Sequence, residues 1–340
     1  MTEFTRIGVD TSKNVFTLHG VSANGEVMRR ELRRPKFLAF FERITPTEVA
    51  LEACGSSHHW GRMLQAIGHR VRLIPPNYVK PFVRRSKNDR NDAEAICTAA
   101  AQPAIGSVPV KSVQQQADAM LLKVREQLKG QRTGLVNALR GHAAELGYTE
   151  AKGDKGLGRL RQAICGAPEQ DVPVAAKQAL ALLGKQIDDL DTRLAEIDGQ
   201  LKRQFAADPQ SKRLSAVPGI GIITALTLTR TVDMPQFRSP RHFAAWLGLV
   251  PKEHSTGGKH RFGGISRAGN ERLRSLLVVG ATAVIRHAKA GGKGLMAWLN
   301  ALLERKPRKL AAVALANKMA RIVWAMVTRG EDFRLIPQAG

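Results

Sequence analysis

Four carboxylates in the first third of the chain have the types and settings that metal-dependent phosphoryl chemistry needs. Asp10 closes the apolar run Ile7-Gly8-Val9, and Glu52 closes Val49-Ala50-Leu51. Both runs read as strands, and carboxylates at strand ends in an α/β sheet face the crevice where ligands bind. Glu is poor in strands, so its place behind three apolar residues singles out Glu52. Asp89 and Asp92 stand three residues apart in Lys87-Asn88-Asp89-Arg90-Asn91-Asp92-Ala93, a helix start, and so share a face. Taken singly, each also serves as an ordinary helix-start charge or cap. Four clustered carboxylates raise one another's pKa and cannot all ionise without cations. Hard oxygen ligands suit Mg²⁺ or Mn²⁺. Two such ions about 4 Å apart can hold both the attacking and the leaving oxygen of a phosphoryl transfer.

The last third carries two further constellations. Pro218-Gly219-Ile220-Gly221 joins two short apolar helical stretches, as a helix-hairpin-helix element does. Glycines there let backbone N–H groups approach a DNA phosphate without base readout; a plain helix-helix turn is the alternative. Residues 248–274 are dense in glycine, hydroxyls and cations, with Gly257, Gly258, Lys259, Arg261, Arg267, Asn270 and Arg274 as candidate phosphate contacts. No P-loop pattern is present. The Ser255 hydroxyl could act as a nucleophile, given a base or metal to activate it and a cation to stabilise charge. His254, Lys259 and Arg261 lie beside it in sequence.

The elements that must position these groups can be read in outline. Strands are expected at 4–31, broken by the Asn24-Gly25 turn, then at 47–52 and 70–74. Helices are expected at 35–44, 58–67 and 89–101. The order β-β-β-α-β-α-β-α indicates an α/β domain with a mixed sheet, ending near residue 110. Residues 113–146 form one long helical pattern. Leu180, Leu183, Ile187, Leu190, Leu194, Ile197 and Leu201 then step by alternating threes and fours, an a/d heptad seam. That seam fits a helical hairpin within the chain or a coiled coil between chains. Residues 211–300 read as mostly helical with glycine-rich interruptions, and 308–327 as one amphipathic helix. The expected class is α/β plus α, with domains at 1–110, 111–208 and 209–340.

Charge narrows the partners. The chain has 53 Lys and Arg against 29 Asp and Glu, net +24, and residues 211–340 alone hold 22 against 6. Such an excess points to a polyanion, nucleic acid in the first place. No apolar run reaches 18 residues, so no membrane span is expected. Cys54, Cys97 and Cys165 are odd in number and widely spaced, which excludes a disulfide framework and points to a reducing cytoplasm. Cys54 and Cys97 read as buried packing residues. His58 and His59 read as helix-start or DNA-facing residues, since no second His/Cys cluster has ligand spacing.

In their order along the chain, these motifs resemble the DEDD-type insertion-sequence transposases, relatives of the Piv-like pilin-gene invertase. The likeness covers nearly the whole chain: Ile7-Gly8-Val9-Asp10, Leu51-Glu52-Ala53, the Asp89/Asp92 segment, Pro218-Gly219-Ile220-Gly221, Ser255-Thr256-Gly257-Gly258 and Ile265-Ser266-Arg267-Ala268-Gly269-Asn270. The resemblance implies a RuvC/ribonuclease-H-like N-terminal domain with a metal-binding tetrad at Asp10, Glu52, Asp89 and Asp92. It implies a helical coiled-coil linker for assembly and a mostly helical C-terminal transposase domain; the heptad seam and the need to cut several strands point to a dimer or tetramer. The family's Ser-x-Gly-Gly motif falls on Ser255 as nucleophile, with Ser266 as second choice. The partners it implies are the element ends, the target DNA and a noncoding guide RNA encoded by the element, in the cytoplasm with the nucleoid. The chain departs from the pattern in having Arg267 where lysine is usual, and in having few aromatic residues for base stacking. Two other functions fit the residues alone. One is a metal-dependent junction-resolving nuclease without a serine nucleophile. The other is a non-enzymatic nucleic-acid-binding scaffold.

Overall fold

The computed structural model describes residues 3–84, 88–288 and 293–334; Lys87, in the Asp89 motif, lies outside them. The chain divides into two compact units, Met1–Gln116 and Ala117–Gly340.

In the first unit, β1 (Phe4–Thr11), β2 (Val15–Ser22) and β3 (Val27–Arg33) form an antiparallel meander. The strands β4 (Glu48–Glu52) and β5 (Arg70–Ile74) add in parallel on the other side of β1, giving the order β3-β2-β1-β4-β5. Helices α1 (Phe37–Phe41), α2 (Ser57–Ala66), α3 (Pro76–Val79) and α4 (Asp89–Ala101) complete it. This is the mixed α/β arrangement expected from the hydropathy pattern, with the short α3 added. Alternation along the strands divides the core. Ile7, Val9, Leu18, Val49 and Leu51 pack with Phe37, Phe41 and Trp60, while Ala50 and Ile74 pack with Ala95, Ile96 and Ala99 of α4.

Gly8 fixes how close α4 comes to the sheet. A Cβ there would stand 2.4 Å from the Ala93 carbonyl oxygen and 2.6 Å from the Cys97 backbone nitrogen. Only hydrogen fits, so α4 lies directly on β1. Gly8→Ala is expected to push α4 outward, cost about 1–3 kcal/mol and lower the melting temperature of the protein by several degrees in a thermal melt.

The second unit is built on helices. They are α5 (Val113–Glu145, entering from the first unit), α6 (Asp154–Gly166), α7 (Val174–Ala207), α8 (Pro209–Ser215), α9 (Ile222–Thr231) and α10 (Pro240–Trp246). The strands β6 (Pro251–Glu253) and β7 (Phe262–Ile265) follow, then α11 (Glu271–Arg286), α12 (Leu295–Arg305) and α13 (Arg308–Arg329). The heptad seam of α7 is covered from within the chain. Leu180 and Ile187 pack with Leu139 of α5 and Leu160 of α6, and Leu201 packs with Leu122 of α5 and Leu226 of α9. Ion pairs Arg125–Asp198 (2.5 Å) and Arg132–Asp191 tie α5 to α7. The seam therefore gives no separate argument for a coiled coil between chains.

The C-terminal core gathers Leu214, Val217, Phe243, Leu273, Leu277, Leu315, Met319 and Val323. By length and composition α13 is apolar enough to cross a membrane, but Ala312, Leu315, Ala316, Met319, Ala320 and Val323 are buried in this core. The Pro218–Gly221 turn packs on α11: a Cβ at Gly280 would lie 2.0 Å from the Gly219 carbonyl oxygen, and Gly219 has φ +88°. Gly280→Ala is expected to destabilise the protein by more than about 2 kcal/mol, read as a drop in the denaturant midpoint.

Candidate functional site

Sheet register and helix packing bring the acidic residues of the first unit together. Val9 pairs with Leu51 across the parallel strands β1 and β4, so Asp10 and Glu52 are the next residues on neighbouring strands. The α4 helix begins at Asn88, whose side chain accepts from the Asn91 N–H at 2.8 Å. Asp89 and Asp92 occupy its first turns. Because α4 rests on Gly8, two residues before Asp10, this helix start lies at the strand ends. One carboxylate oxygen each from Asp10, Asp89 and Asp92 lie within 4.8 Å of one another. Burial first, then the charges of Asp89, Asp92 and Glu52, push Asp10 up to about 6. Carboxylate oxygens gathered around an Asp10 that burial and like charge keep protonated are a donor set a hard divalent cation can take.

In the second unit, residues 251–265 form a β-hairpin, where a glycine-rich phosphate-binding loop between apolar helices was expected. Gly257 and Gly258 have φ of +54° and +77°, and Thr256 and Lys259 exchange backbone hydrogen bonds across them. This is the two-residue turn that needs positive φ at both central positions. Ser255 stands near its tip, exposed. Its Oγ donates to Glu253 Oε1 at 2.6 Å and lies 3.2 Å from His260 Nδ1. His260 Nδ1 is 2.8 Å from the same Glu253 oxygen. Neither Glu253 nor His260 was singled out by sequence reading. The Gly257-Gly258 pair carries the signal: centred there, the ladder sets 255 opposite 260. Exposed Lys259 and Arg261 lie on the same hairpin.

The other expected contacts divide. Gly221 is exposed, whereas Pro218 and Gly219 are half-buried in the turn against α11. Asn270 caps α11, accepting from the Leu273 N–H at 3.0 Å. Arg274 was expected to meet phosphate, but it is buried and donates to the carbonyls of Leu247 and Ala268 at 3.0 and 2.9 Å. A buried guanidinium spends its donors on nearby carbonyls, so Arg274 anchors the loop after the hairpin. Ser266 is half-buried beside that loop. Exposed Arg267 has φ +55°, a conformation that costs a non-glycine residue about 1–2 kcal/mol. Arg267→Gly is expected to raise unfolding free energy by about 1 kcal/mol, read as a higher denaturant midpoint. Cys97 is buried, but Cys54 is exposed at the end of β4, against the expected packing role, and Cys165 is also exposed; all three are free. His58 Nδ1 accepts from the Lys111 N–H at 3.2 Å, and the His59 ring lies edge-on to Trp60.

Two family models match this chain. A DEDD transposase model covers residues 7–146, and a model described as the transposase IS116/IS110/IS902 family covers residues 211–294. A putative transposase, y4pF/y4sB, of Sinorhizobium fredii is 48% identical over 98% of this chain and 86% of its own length. A probable family 20 transposase of Pseudomonas aeruginosa is 43% identical over 97% and 98%. The transposase for insertion sequence element IS1111A of Coxiella burnetii is 38% identical over 98% and 92%. The chain belongs to the DEDD-type insertion-sequence transposases. The transposase is thus a DNA-processing enzyme, and its DEDD domain implies a RuvC-like fold and dependence on a divalent cation. Both expectations agree with the mixed sheet and the gathered carboxylates of the first unit.

Proposed function

We propose that this transposase excises and inserts its own insertion sequence through a covalent serine–DNA intermediate. The proximity of the Asp10, Asp89 and Asp92 oxygens, within 4.8 Å of one another, carries the reading. In it, residues 1–110 are the RuvC-like domain, 111–208 the assembly region and 209–340 the transposase domain. Asp10, Glu52, Asp89 and Asp92 hold Mg²⁺ or Mn²⁺. The bound cation supplies charge stabilisation at the scissile phosphodiester. Ser255 Oγ attacks phosphorus, giving a 5′-phosphoserine and a free 3′ hydroxyl. The linkage keeps the bond energy for rejoining, so no nucleotide cofactor is consumed. Lys259, Arg261 and Arg267, with the backbone of Gly221, Gly257 and Gly258, line the path of the phosphates. The same substrate reaches both sites in a dimer or tetramer whose tetrad and serine come from different subunits. An element-encoded noncoding RNA guides the choice of donor and target, in the cytoplasm with the nucleoid.

The test is an excision assay. The gene is placed on a plasmid with its native flanking noncoding DNA, and element circles are scored by sequencing across the new junction. Circles are expected with wild type and with neither Asp10→Ala nor Ser255→Ala. Circles lost in Asp10→Ala alone would move the nucleophile to water, as in a junction-resolving nuclease, or to Ser266. DNA binding that survives both substitutions, with no cleavage by wild type, would leave a scaffold.

A further inference from the structure

We propose that Glu253 is the general base that takes the Ser255 proton, and that His260 is the positioning residue that aims it. This rests on Ser255 being the nucleophile; what it adds is the group that activates the hydroxyl. Alternation along the hairpin puts Glu253, Ser255, His260 and Phe262 on one side. The His260 and Phe262 rings stack there, 6.2 Å between centroids and 7° from parallel. The opposite side carries His254 and Arg261, joined by a 2.8 Å backbone hydrogen bond.

Charge distinguishes Glu253. Between Asp233 and Glu271 it is the one acidic residue in a segment otherwise rich in Lys, Arg and His. A carboxylate facing a polyanion costs binding unless it has a task, and this one touches the Ser255 Oγ at 2.6 Å. A carboxylate only accepts, so His260 donates its Nδ1–H across 2.8 Å to the same oxygen. The hydrogen bond from Ser255 and then that from His260 hold Glu253 below the usual carboxylate range. The base is therefore ionised throughout the neutral range and aimed at the hydroxyl.

The step balances. As the Oγ–P bond forms, the Oγ proton passes to Glu253. The P–O3′ bond breaks, the 3′ oxygen takes a proton from water, and Glu253 releases its own to solvent. Net, one hydroxyl is exchanged for another, with no oxidant or further reactant.

The experiment uses full-length protein purified from cells that carry its native flanking noncoding DNA. It is mixed with duplex DNA spanning an element end, and the covalent protein–DNA adduct is followed on denaturing gels across a pH series. Glu253→Gln keeps an oxygen to accept from Oγ but removes the base. Its adduct rate is expected to fall about a hundredfold or more, and to climb with pH where wild type is flat. Glu253→Asp, which keeps the carboxylate, should recover part of the rate. His260→Asn keeps an N–H donor and should lose less than His260→Ala. Glu253, Ser255 and His260 are all exposed, so melting temperatures should match wild type. Adduct formed by Glu253→Gln at the wild-type rate overturns the base assignment. Ser255→Ala is the separate arm: adduct persisting there overturns the serine reading itself, whereas adduct lost there but kept in Glu253→Gln overturns only the base.

Discussion

On the proposed reading, Asp10→Ala is expected to yield no element circles, and also to abolish the response of the protein's melting temperature to divalent cations. Losing one cation ligand removes several kcal/mol of transition-state stabilisation, a factor on the order of a thousand in rate. The pH dependence makes the expectation specific. Asp10 stands at about 6 because burial and then the charges of Asp89, Asp92 and Glu52 disfavour its ionised form. Its value in the fold is thus above its unfolded value. In cation-free protein that contribution to stability is complete below about pH 4 and is lost as pH rises through about 6. A divalent cation must displace the proton, so the rise in melting temperature given by Mn²⁺ should be small near about pH 5 and level off above about pH 7. Asp10→Asn should remove both the cation response and this part of the pH dependence. An unchanged Mn²⁺ response in Asp10→Asn would exclude Asp10 as a ligand.

Ser255→Ala is expected to lower strand exchange by at least about a thousandfold, with folding and DNA binding unchanged. Ser255 is exposed, and its side-chain hydrogen bonds among the described residues run to Glu253 and His260 at the hairpin. Removing Oγ leaves no cavity and no buried unsatisfied partner, so its loss should not register in a melt. The Asp10→Ala, Ser255→Ala double variant should be no worse than either single one, because residues that act in one step are not additive. A double variant markedly worse than both would mean two independent routes to cleavage.

Much of the first unit was legible from local pattern. Asp10 and Glu52 follow apolar strand runs, and Asp89 and Asp92 open a helix, so strand ends and a helix start announced them. What local pattern did not carry was Gly8, the contact that seats the helix on the sheet. The second unit was harder. The Gly257-Gly258 pair is a hairpin signal, but a short exposed hairpin among helices has little apolar alternation to support it. Without its register, charge drew attention to His254, Lys259 and Arg261 around Ser255, and Glu253 and His260 passed unnoticed. Arg274 shows the limit of charge as a guide: composition counts a cation but not the direction in which it points. The α7 heptads show the limit of periodicity, since the same spacing of threes and fours serves a partner helix in the same chain or in another.

The most direct measurement is the chemical identity of the protein–DNA junction. Adduct formed on an element-end duplex is digested with protease and nuclease, and the nucleotide-bearing peptide is sequenced by mass spectrometry. The account predicts a 5′-phosphate esterified to Ser255, with a free 3′ hydroxyl on the opposing end. A nucleotide attached to Ser266 or to any other residue, or cleaved ends without any protein attachment, would contradict it.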